Sequence, residues 1–368
     1  MGMLRVLLAM AVVLTHTGGI AGYNMVGGRV AVETFFVLSG FLIQMMLATR
    51  YAGPGKLTAF WRNRVLRILP GYYLALAFAL ALYAVIPRSP GSFYAAAGAA
   101  LHRLSFTDWL VWLMTQVLVV GQEILVFCHV GLNGLAFGPD SNDPLPWSLA
   151  ILPPAWSLSL ELVFYMLAPA LARLRTGPLA ILAVLGLALK YGCNIAFFQF
   201  AHPWSYRFLP FELPYFLFGM LAWRLRPRLE TDRSILAFAM FCLTLLFQPL
   251  TDRAMAIGID PEAMRLAYLV LIVLGLPTLF CVSQRLAWDQ ALGNYSYPLY
   301  LFHWPIALAV ITFAPRLEIE QPACFLVMLA ATVLVSHLCI QLLERPISSL
   351  RRLPVAKTSE TPPVAEGI

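Results

Sequence analysis

The chain has 368 residues, of which 60% are hydrophobic and 12% are charged, and its formal net charge is +7. Soluble domains carry about 25% charged residues, so the composition excludes an ordinary soluble protein and indicates an all-α polytopic integral membrane protein. The basic balance does not indicate a nucleic-acid partner, because an excess of Lys and Arg in a membrane protein usually reflects topology.

Ten runs of about twenty apolar residues are long enough to cross a bilayer as helices. They lie at 3–21, 31–49, 68–86, 156–172, 177–200, 208–223, 234–250, 265–282, 293–313 and 323–343. If the amino terminus is cytoplasmic and the chain alternates, seventeen Lys and Arg residues fall on the cytoplasmic side and seven on the opposite side. This bias predicts that both termini are cytoplasmic. We expect one transmembrane domain over residues 1–353 and a short disordered cytoplasmic tail over residues 354–368.

Residues 91–155 hold two weaker apolar segments, 92–106 and 109–130. The flanking spans both place their ends outside, so this region must cross an even number of times. Either the two segments cross as a pair, giving twelve spans, or both lie on or dip into the outer face. Four polar residues within the second segment favour a cavity-facing or re-entrant segment: Gln116, Gln122, Glu123 and His129. The Pro-rich stretch 139–154 is expected to form an outer loop.

The first span carries two ionisable residues, Arg5 and His16. Such side chains are costly in hydrocarbon, so the helix that holds them usually faces a bundle interior or a wet cavity. Eleven residues at about 100° each end about 20° past three full turns, so the two side chains share a face about 16 Å apart along the axis. His16 is therefore a candidate acid or base in a membrane cavity, and Arg5 lies nearer one surface.

Two other interpretations of this segment remain open. A secretory signal peptide would explain the basic start, the apolar core and the small residues near Gly22, although an internal histidine fits it poorly. Alternatively, His16 only joins two helices through a hydrogen bond and has no chemical role.

The loop after the second span, KLTAFWRNRVLRILPGYY, contains Arg62, Arg64 and Arg67. Arg64 and Arg67 are three residues apart and share a helix face. Clustered arginines bind phosphates through forked hydrogen bonds, so the loop is a candidate site for a phosphorylated cytoplasmic donor. Positive-inside anchoring and the binding of anionic lipid headgroups are the alternatives.

The segment AWSLSLELVFYMLAP begins a span on the outer side, with Trp156 at its start. Ser157 and Glu161 are four residues apart and share a face. A glutamate about one turn inside a span needs a partner, so Glu161 would orient an imidazole or bind an incoming hydroxyl, unless it stays in water beside an interfacial Trp156. Glu33 and Ser39, in the outer half of the second span, are further pocket candidates.

The late segment LGNYSYPLYLFHWPI places Tyr300 and His303 on one helix face, either in a pocket or in packing at the interface. Lys190 is a membrane cation that either reaches the surface or pairs with an acid. The six cysteines show no metal or disulfide spacing, and there is no P-loop, HExxH or Gly-x-Ser-x-Gly motif. We therefore expect no metal site, no ATP hydrolysis and no ordinary serine hydrolase.

Taken together, these stretches resemble the acyltransferase-3 family of bacterial integral membrane O-acyltransferases. The match runs from Arg5 to Pro346. Its motifs are the Arg5–His16 pair, FFVLSGFLI at 35–43, the basic loop with Arg64, Arg67 and Pro70, WSLSLE at 156–161 with Phe164 and Tyr165, the late-helix residues Gly293, Ser296, Tyr297, Tyr300 and His303, and Glu344-Arg345-Pro346.

The resemblance implies a ten-helix core in the bacterial inner membrane and no bound cofactor. It implies transfer of an acyl group, commonly acetyl, from cytoplasmic acyl-CoA to a hydroxyl of an envelope or exported polysaccharide or its lipid-linked precursor. By the same resemblance, His16 is the catalytic base or acyl carrier and Arg5 is its companion, which could stabilise an oxyanion. Arg64 and Arg67 would lie near the donor phosphates, and Glu161 near the acceptor.

Two departures from the family pattern bear on specificity. Glu33 stands where many relatives carry Asp, and residues 91–155 are long, which suggests an individual acceptor preference. Some relatives also carry a fused hydrolase-like domain that this sequence lacks, so we expect the chain to act alone or to hand its acyl group to a partner. Oligomeric state is not predicted.

A second class of function is a secondary transporter or flippase for a lipid-linked or anionic solute, with His16, Glu161 and Lys190 as a proton relay. No inverted repeat is visible in the sequence. The two hypotheses differ in their demands, because a transporter moves its solute across liposomes without any acyl donor.

Overall fold

In the computed structural model of the chain, the described residues are 1–20, 22–53, 55–86, 93–131, 134–138, 149–229, 234–313 and 321–351. Among them, eight helices are long and apolar enough to cross a membrane, which confirms an all-α polytopic membrane protein. The predicted outer loop at 139–154 lies largely outside the described residues, and so does the predicted tail.

The described helices follow one another along the chain. They are α1 (Gly2–His16), α2 (Gly27–Ala48), α3 (Lys56–Val85), α4 (Phe93–His102), α5 (Phe106–Leu118), α6 (Gln122–Leu125), α7 (Trp156–Arg173), α8 (Thr176–Cys193), α9 (Leu209–Arg224), α10 (Arg226–Leu229), α11 (Ser234–Ala256), α12 (Pro261–Ser283), α13 (Ala287–Gly293), α14 (Ser296–Phe313), α15 (Gln321–Cys339) and α16 (Arg345–Leu350). Two strands, β1 (Cys128–Gly131) and β2 (Gly134–Phe137), pair as an antiparallel hairpin.

Each of the ten predicted spans coincides with one of these helices. Two of them, α1 and α9, have only 15 and 16 residues, which at about 1.5 Å per residue is less than the roughly 30 Å hydrocarbon thickness. Both pack inside the bundle: α1 contacts α2, α13 and α14, and α9 contacts α2, α8 and α12. The helix that carries Arg5 and His16 is therefore an interior element.

The contact between α2 and α9 depends on two glycines. A Cβ atom built on Gly40 would lie 1.9 Å from the Phe216 carbonyl oxygen, and one on Gly219 would lie 2.0 Å from that of Val37. Any side chain at either position would force the two backbones apart, because such small residues are what allow membrane helices to approach closely.

Within the described part of residues 91–155, neither predicted segment forms a helix as long as a membrane span. The 10-residue α4 and the 13-residue α5 are shorter than the roughly twenty residues that a span needs. Within the predicted segment 109–130, the helix stops because Val119 and Gly121 have φ values of 68° and 93°, and the chain then forms α6 and β1. The Tyr72 hydroxyl donates to the Gln116 carbonyl at 2.8 Å, which ties α5 to α3.

The start of α1 is capped by a side chain from α13. Asp289 accepts hydrogen bonds from the backbone amides of Gly2, at 2.7 Å, and Met3, at 2.8 Å. These amides belong to the first turn, which has no acceptors within its own helix. The carboxylate also complements the positive end of the helix dipole, so Asp289 fixes the end of α1 that carries Arg5.

We expect Asp289→Ala to lower the free energy of unfolding by about 1–2 kcal/mol, the usual contribution of a helix cap. The measurement is denaturant unfolding of the purified protein in detergent. Asp252→Ala, at an exposed position of α11, is the matched control and should change stability little. Equal losses in the two variants would contradict the capping role.

Candidate active site between two cavities

His16 lies in a cavity of about 260 Å³, here named the histidine cavity. Its wall comes from α1, α2, α7, α14 and the segment between α8 and α9. The side chains that matter for its chemistry are His16, Arg29, Trp156, His202, Arg207 and Tyr300. The ring predicted to face a cavity therefore lines one.

The His16 ring has a defined tautomer. Its Nδ1 lies 2.9 Å from the carbonyl oxygen of Val12, one turn earlier in α1. A carbonyl oxygen only accepts, so Nδ1 carries the proton, and in the neutral ring Nε2 is left with a free lone pair. The ring centroid lies 5.0 Å from that of His303 and 5.2 Å from that of Trp304. This packing and the Val12 hydrogen bond fix the orientation of the His16 ring.

His303 stands behind His16 and lines neither cavity. It is completely buried, and its Nδ1 lies 2.7 Å from the Tyr300 carbonyl oxygen. Its Nε2 makes no hydrogen bond within the part of the chain that the structure describes. The predicted pocket residue thus supports the wall of the histidine cavity and does not face a substrate.

A second cavity of about 180 Å³, here named the arginine cavity, holds most of the other predicted residues. From the prediction these are Arg5, Ser39, Arg64, Arg67, Ser157, Glu161 and Tyr300. Arg62 is not among them and is exposed on α3, so of the three predicted donor-binding arginines only Arg64 and Arg67 face the cavity. Trp156 lines the histidine cavity instead.

Charges in the arginine cavity are partly paired. Arg67 Nη1 lies 2.6 Å from a Glu344 carboxylate oxygen. Glu161, predicted near the acceptor, lies here among the arginines and accepts hydrogen bonds from Ser39, at 2.6 Å, and from Tyr165. Arg64 Nε is buried and has no hydrogen-bond partner among the described residues. The arginine cavity therefore holds at least one arginine N–H group that no described acceptor satisfies.

Val32 and Tyr300 line both cavities and separate them. The Tyr300 hydroxyl donates to the Pro154 carbonyl at 2.8 Å and lies 2.6 Å from Ser157 Oγ. These contacts hold the phenol between the two spaces. A reaction that used both cavities would take place at this wall.

Glu33 does not line either cavity, in contrast to its predicted place in a pocket. It belongs to a buried ion cluster formed by Glu33, Lys190, Glu212, Arg29, Arg265 and Glu262. Lys190 Nζ lies 2.9 Å from Glu33 and 2.7 Å from Glu212, and all three side chains are completely buried. Of the two predicted alternatives for Lys190, the structure shows pairing with acids. The physical reason is that an unpaired charge inside the helix bundle is costly.

Arg29 connects the ion cluster with the histidine cavity. Its guanidinium lies 2.8 Å from Glu262, 3.4 Å from Glu33 and 3.0 Å from the Ser205 carbonyl. The sequence did not predict that Arg29, Arg207 and His202 line this cavity. Arg29 and Arg207 had been used only in the charge count that predicts topology. Their signal was their position near the outer ends of spans. Among the described residues, no three His, Cys, Asp or Glu side chains form a metal-binding group.

The model of the acyltransferase-3 family, described as an acyltransferase domain, matches residues 1–340. The chain therefore belongs to this family, which confirms the resemblance and the enzyme class that its motifs predict.

Among curated proteins, the chain is similar to peptidoglycan O-acetyltransferase OatA of Listeria monocytogenes, with 25% identity over 362 residues that cover 87% of this chain and 51% of the relative. It is also similar to exopolysaccharide production protein ExoZ of Rhizobium meliloti, with 28% identity over 352 residues that cover 92% of this chain and 95% of the relative. The chain thus spans about half the length of several curated relatives that it matches, OatA among them. No solved structure matches the chain.

Proposed function

We propose that the chain is a multi-pass inner-membrane O-acyltransferase whose termini and arginine cavity face the cytoplasm. It would transfer an acyl group, commonly acetyl, from acyl-CoA to a hydroxyl of an envelope or exported polysaccharide or its lipid-linked precursor. The supporting observation is the pair of cavities along one face of α1, one cationic and one holding His16, that meet at Tyr300 and Val32.

The donor fits the arginine cavity chemically. CoA is highly anionic, and the forked donors of arginine suit phosphates. Its pantetheine arm separates the phosphates from the thioester, so the phosphates can stay at Arg64 and Arg67 while the thioester reaches Tyr300. Arg5 lies about 16 Å along the axis from His16, so we assign it to donor binding and not to the oxyanion.

In the transfer step, His16 Nε2 takes the proton of the acceptor hydroxyl as the oxygen attacks the thioester carbonyl carbon. The C–O bond forms, the C–S bond breaks, and the proton passes from His16 to the leaving thiolate. The products are the glycan ester and CoA. In the alternative, Nε2 itself attacks the thioester carbonyl carbon, so that a C–N bond forms, the C–S bond breaks and CoA leaves as the thiolate. The acceptor hydroxyl then attacks the acylated imidazole, the C–N bond breaks, and the hydroxyl proton goes to the thiolate.

The test is acyl transfer by the purified protein in liposomes that hold labelled acetyl-CoA on one side and a glycan acceptor on the other. We expect labelled ester on the glycan and release of CoA in equal amounts. Flux of a glycan or an anionic solute in the absence of any acyl donor, without ester formation, would contradict the proposal and favour a transporter.

For the donor site, we expect the double variant Arg64→Gln, Arg67→Gln to bind a CoA thioester at least about tenfold more weakly, because each charge-assisted hydrogen bond contributes about 1.5–3 kcal/mol. The difference should be larger at low salt, where charges are less screened. Equilibrium titration with a non-hydrolysable CoA thioester measures it. Arg62→Gln should have a smaller effect, since Arg62 is exposed outside the cavity. Equal affinity in the double variant and the unmodified protein would reduce the loop to a topological anchor.

A further inference from the structure

The wall of the histidine cavity carries positive charge that no carboxylate in the wall offsets. Arg29 and Arg207 line the cavity, and none of the described lining residues is Asp or Glu. Arg29 is already paired with Glu262 and Glu33. Arg207 has no carboxylate within 4 Å in the described part of the chain, so it is the uncompensated cation of this cavity.

The guanidinium of Arg207 is held in a fixed plane. Its Cζ lies 4.9 Å from the ring centre of Trp156 and 5.2 Å from that of Tyr206. Its Nη2 donates to the Tyr206 hydroxyl at 3.3 Å. Its Nε and Nη1 are buried and have no hydrogen-bond partner among the described residues. Buried donors without acceptors are costly, so these two N–H groups favour an acceptor from outside the described chain.

His202, which also lines the cavity, does not add a charge at neutral pH. Burial and the nearby Arg207 lower its pKa to about 4, so the ring is neutral there and serves as a hydrogen-bonding group. The attraction for an anion therefore comes from Arg207. A guanidinium presents two parallel N–H groups that match the oxygens of a carboxylate or a phosphate.

We propose that the acceptor is an anionic glycan whose carboxylate or phosphate binds Arg207 while its hydroxyl lies at His16, an inference that rests on the proposed function. The anion would come either from an acidic sugar or from the diphosphate of a lipid-linked precursor. A bound anion would also assist the reaction. When His16 takes a proton, its ring becomes cationic beside Arg207, and the negative ligand offsets this repulsion.

The test measures equilibrium binding to the full chain in nanodiscs, with no acyl donor present. The probes are a uronic-acid oligosaccharide, the same oligosaccharide with its carboxyl groups reduced to alcohols, and a polyprenyl-diphosphate-linked sugar. We expect at least one anionic probe to bind about tenfold or more tightly than the reduced one, from one charge-assisted interaction. The acidic oligosaccharide and the diphosphate probe distinguish the two sources of the anion.

Arg207→Gln should abolish this preference, and Arg207→Lys, which keeps the charge but loses the fork, should retain part of it. Arg253→Gln, at an exposed arginine of α11, is the matched control and should retain it fully. Equal binding of anionic and reduced probes to the unmodified protein would overturn the inference, and so would a preference that persists in Arg207→Gln with unchanged unfolding temperature.

Because the binding assay needs no acyl donor, the two proposals can fail separately. Anion binding through Arg207 without any acyl transfer would contradict the proposed function and leave the anion site. Acyl transfer with equal efficiency to the reduced, neutral oligosaccharide, the acidic oligosaccharide and the diphosphate-linked sugar would leave the function and overturn the anion site.

Discussion

The variant His16→Ala is expected to lower acyl transfer by about 10²–10⁴-fold, the usual contribution of a positioned acid or base. The reason is that Nε2 is the free nitrogen of a ring whose Nδ1 is held by the Val12 carbonyl. The protein should stay folded in the membrane, because His16 is the last residue of α1 and is exposed to the cavity. Initial rates of glycan acylation measure the loss, and size-exclusion chromatography in detergent checks the fold.

His102→Ala, at an exposed histidine of α4, is the matched control and should retain its rate. His303→Ala should lower stability instead, since that ring is completely buried and its removal leaves a cavity. Undiminished glycan acylation by His16→Ala would refute the catalytic assignment. Incubation with acetyl-CoA alone, followed by mass spectrometry of the intact protein, separates the two mechanisms, because only an acyl carrier gains the mass of the acyl group before an acceptor is added.

Helical periodicity was sufficient to place Arg5 and His16 on one functional face. The same reasoning could not show that this face passes two cavities. That separation depends on Tyr300, which is held by Pro154 and Ser157 from a different part of the chain. Contacts over more than 140 positions of sequence are set by the packing of α14 against residues 153–157 at the start of α7, and no local pattern encodes them.

The sequence also could not predict which residues pair with the buried charges. Glu33 and Lys190 each stood out as ionisable residues in apolar segments, but their pairing joins α2 to α8. The sequence did not single out Glu212, because it lies near the start of α9 between two prolines. An acid at such a position is typical of the membrane interface. The cluster forms because Gly40 and Gly219 bring α2 and α9 together.

Lys190→Met is expected to lower the free energy of unfolding by about 3–5 kcal/mol, the cost of removing one partner from a buried ion pair. Glu33 retains Arg29 and Arg265 as neighbours, but Lys190 is the only cation within 4 Å of Glu212 among the described residues. The substitution therefore leaves a completely buried carboxylate unpaired. Thermal unfolding in detergent measures the decrease in stability. The matched control is Lys56→Met, at an exposed lysine of α3, which should change stability little.

The double variant Lys190→Met, Glu212→Gln removes both charges and should regain most of the stability, because a neutral amide costs far less to bury than an unpaired carboxylate. It also separates two roles for the cluster. If the cluster is a structural element that holds Arg29 at the histidine cavity, the double variant should transfer acyl groups at nearly the unmodified rate. A proton relay through Lys190 requires the opposite, since it would fail in the single and the double variant alike. Loss of activity in a double variant that unfolds at the unmodified temperature would therefore contradict the structural role.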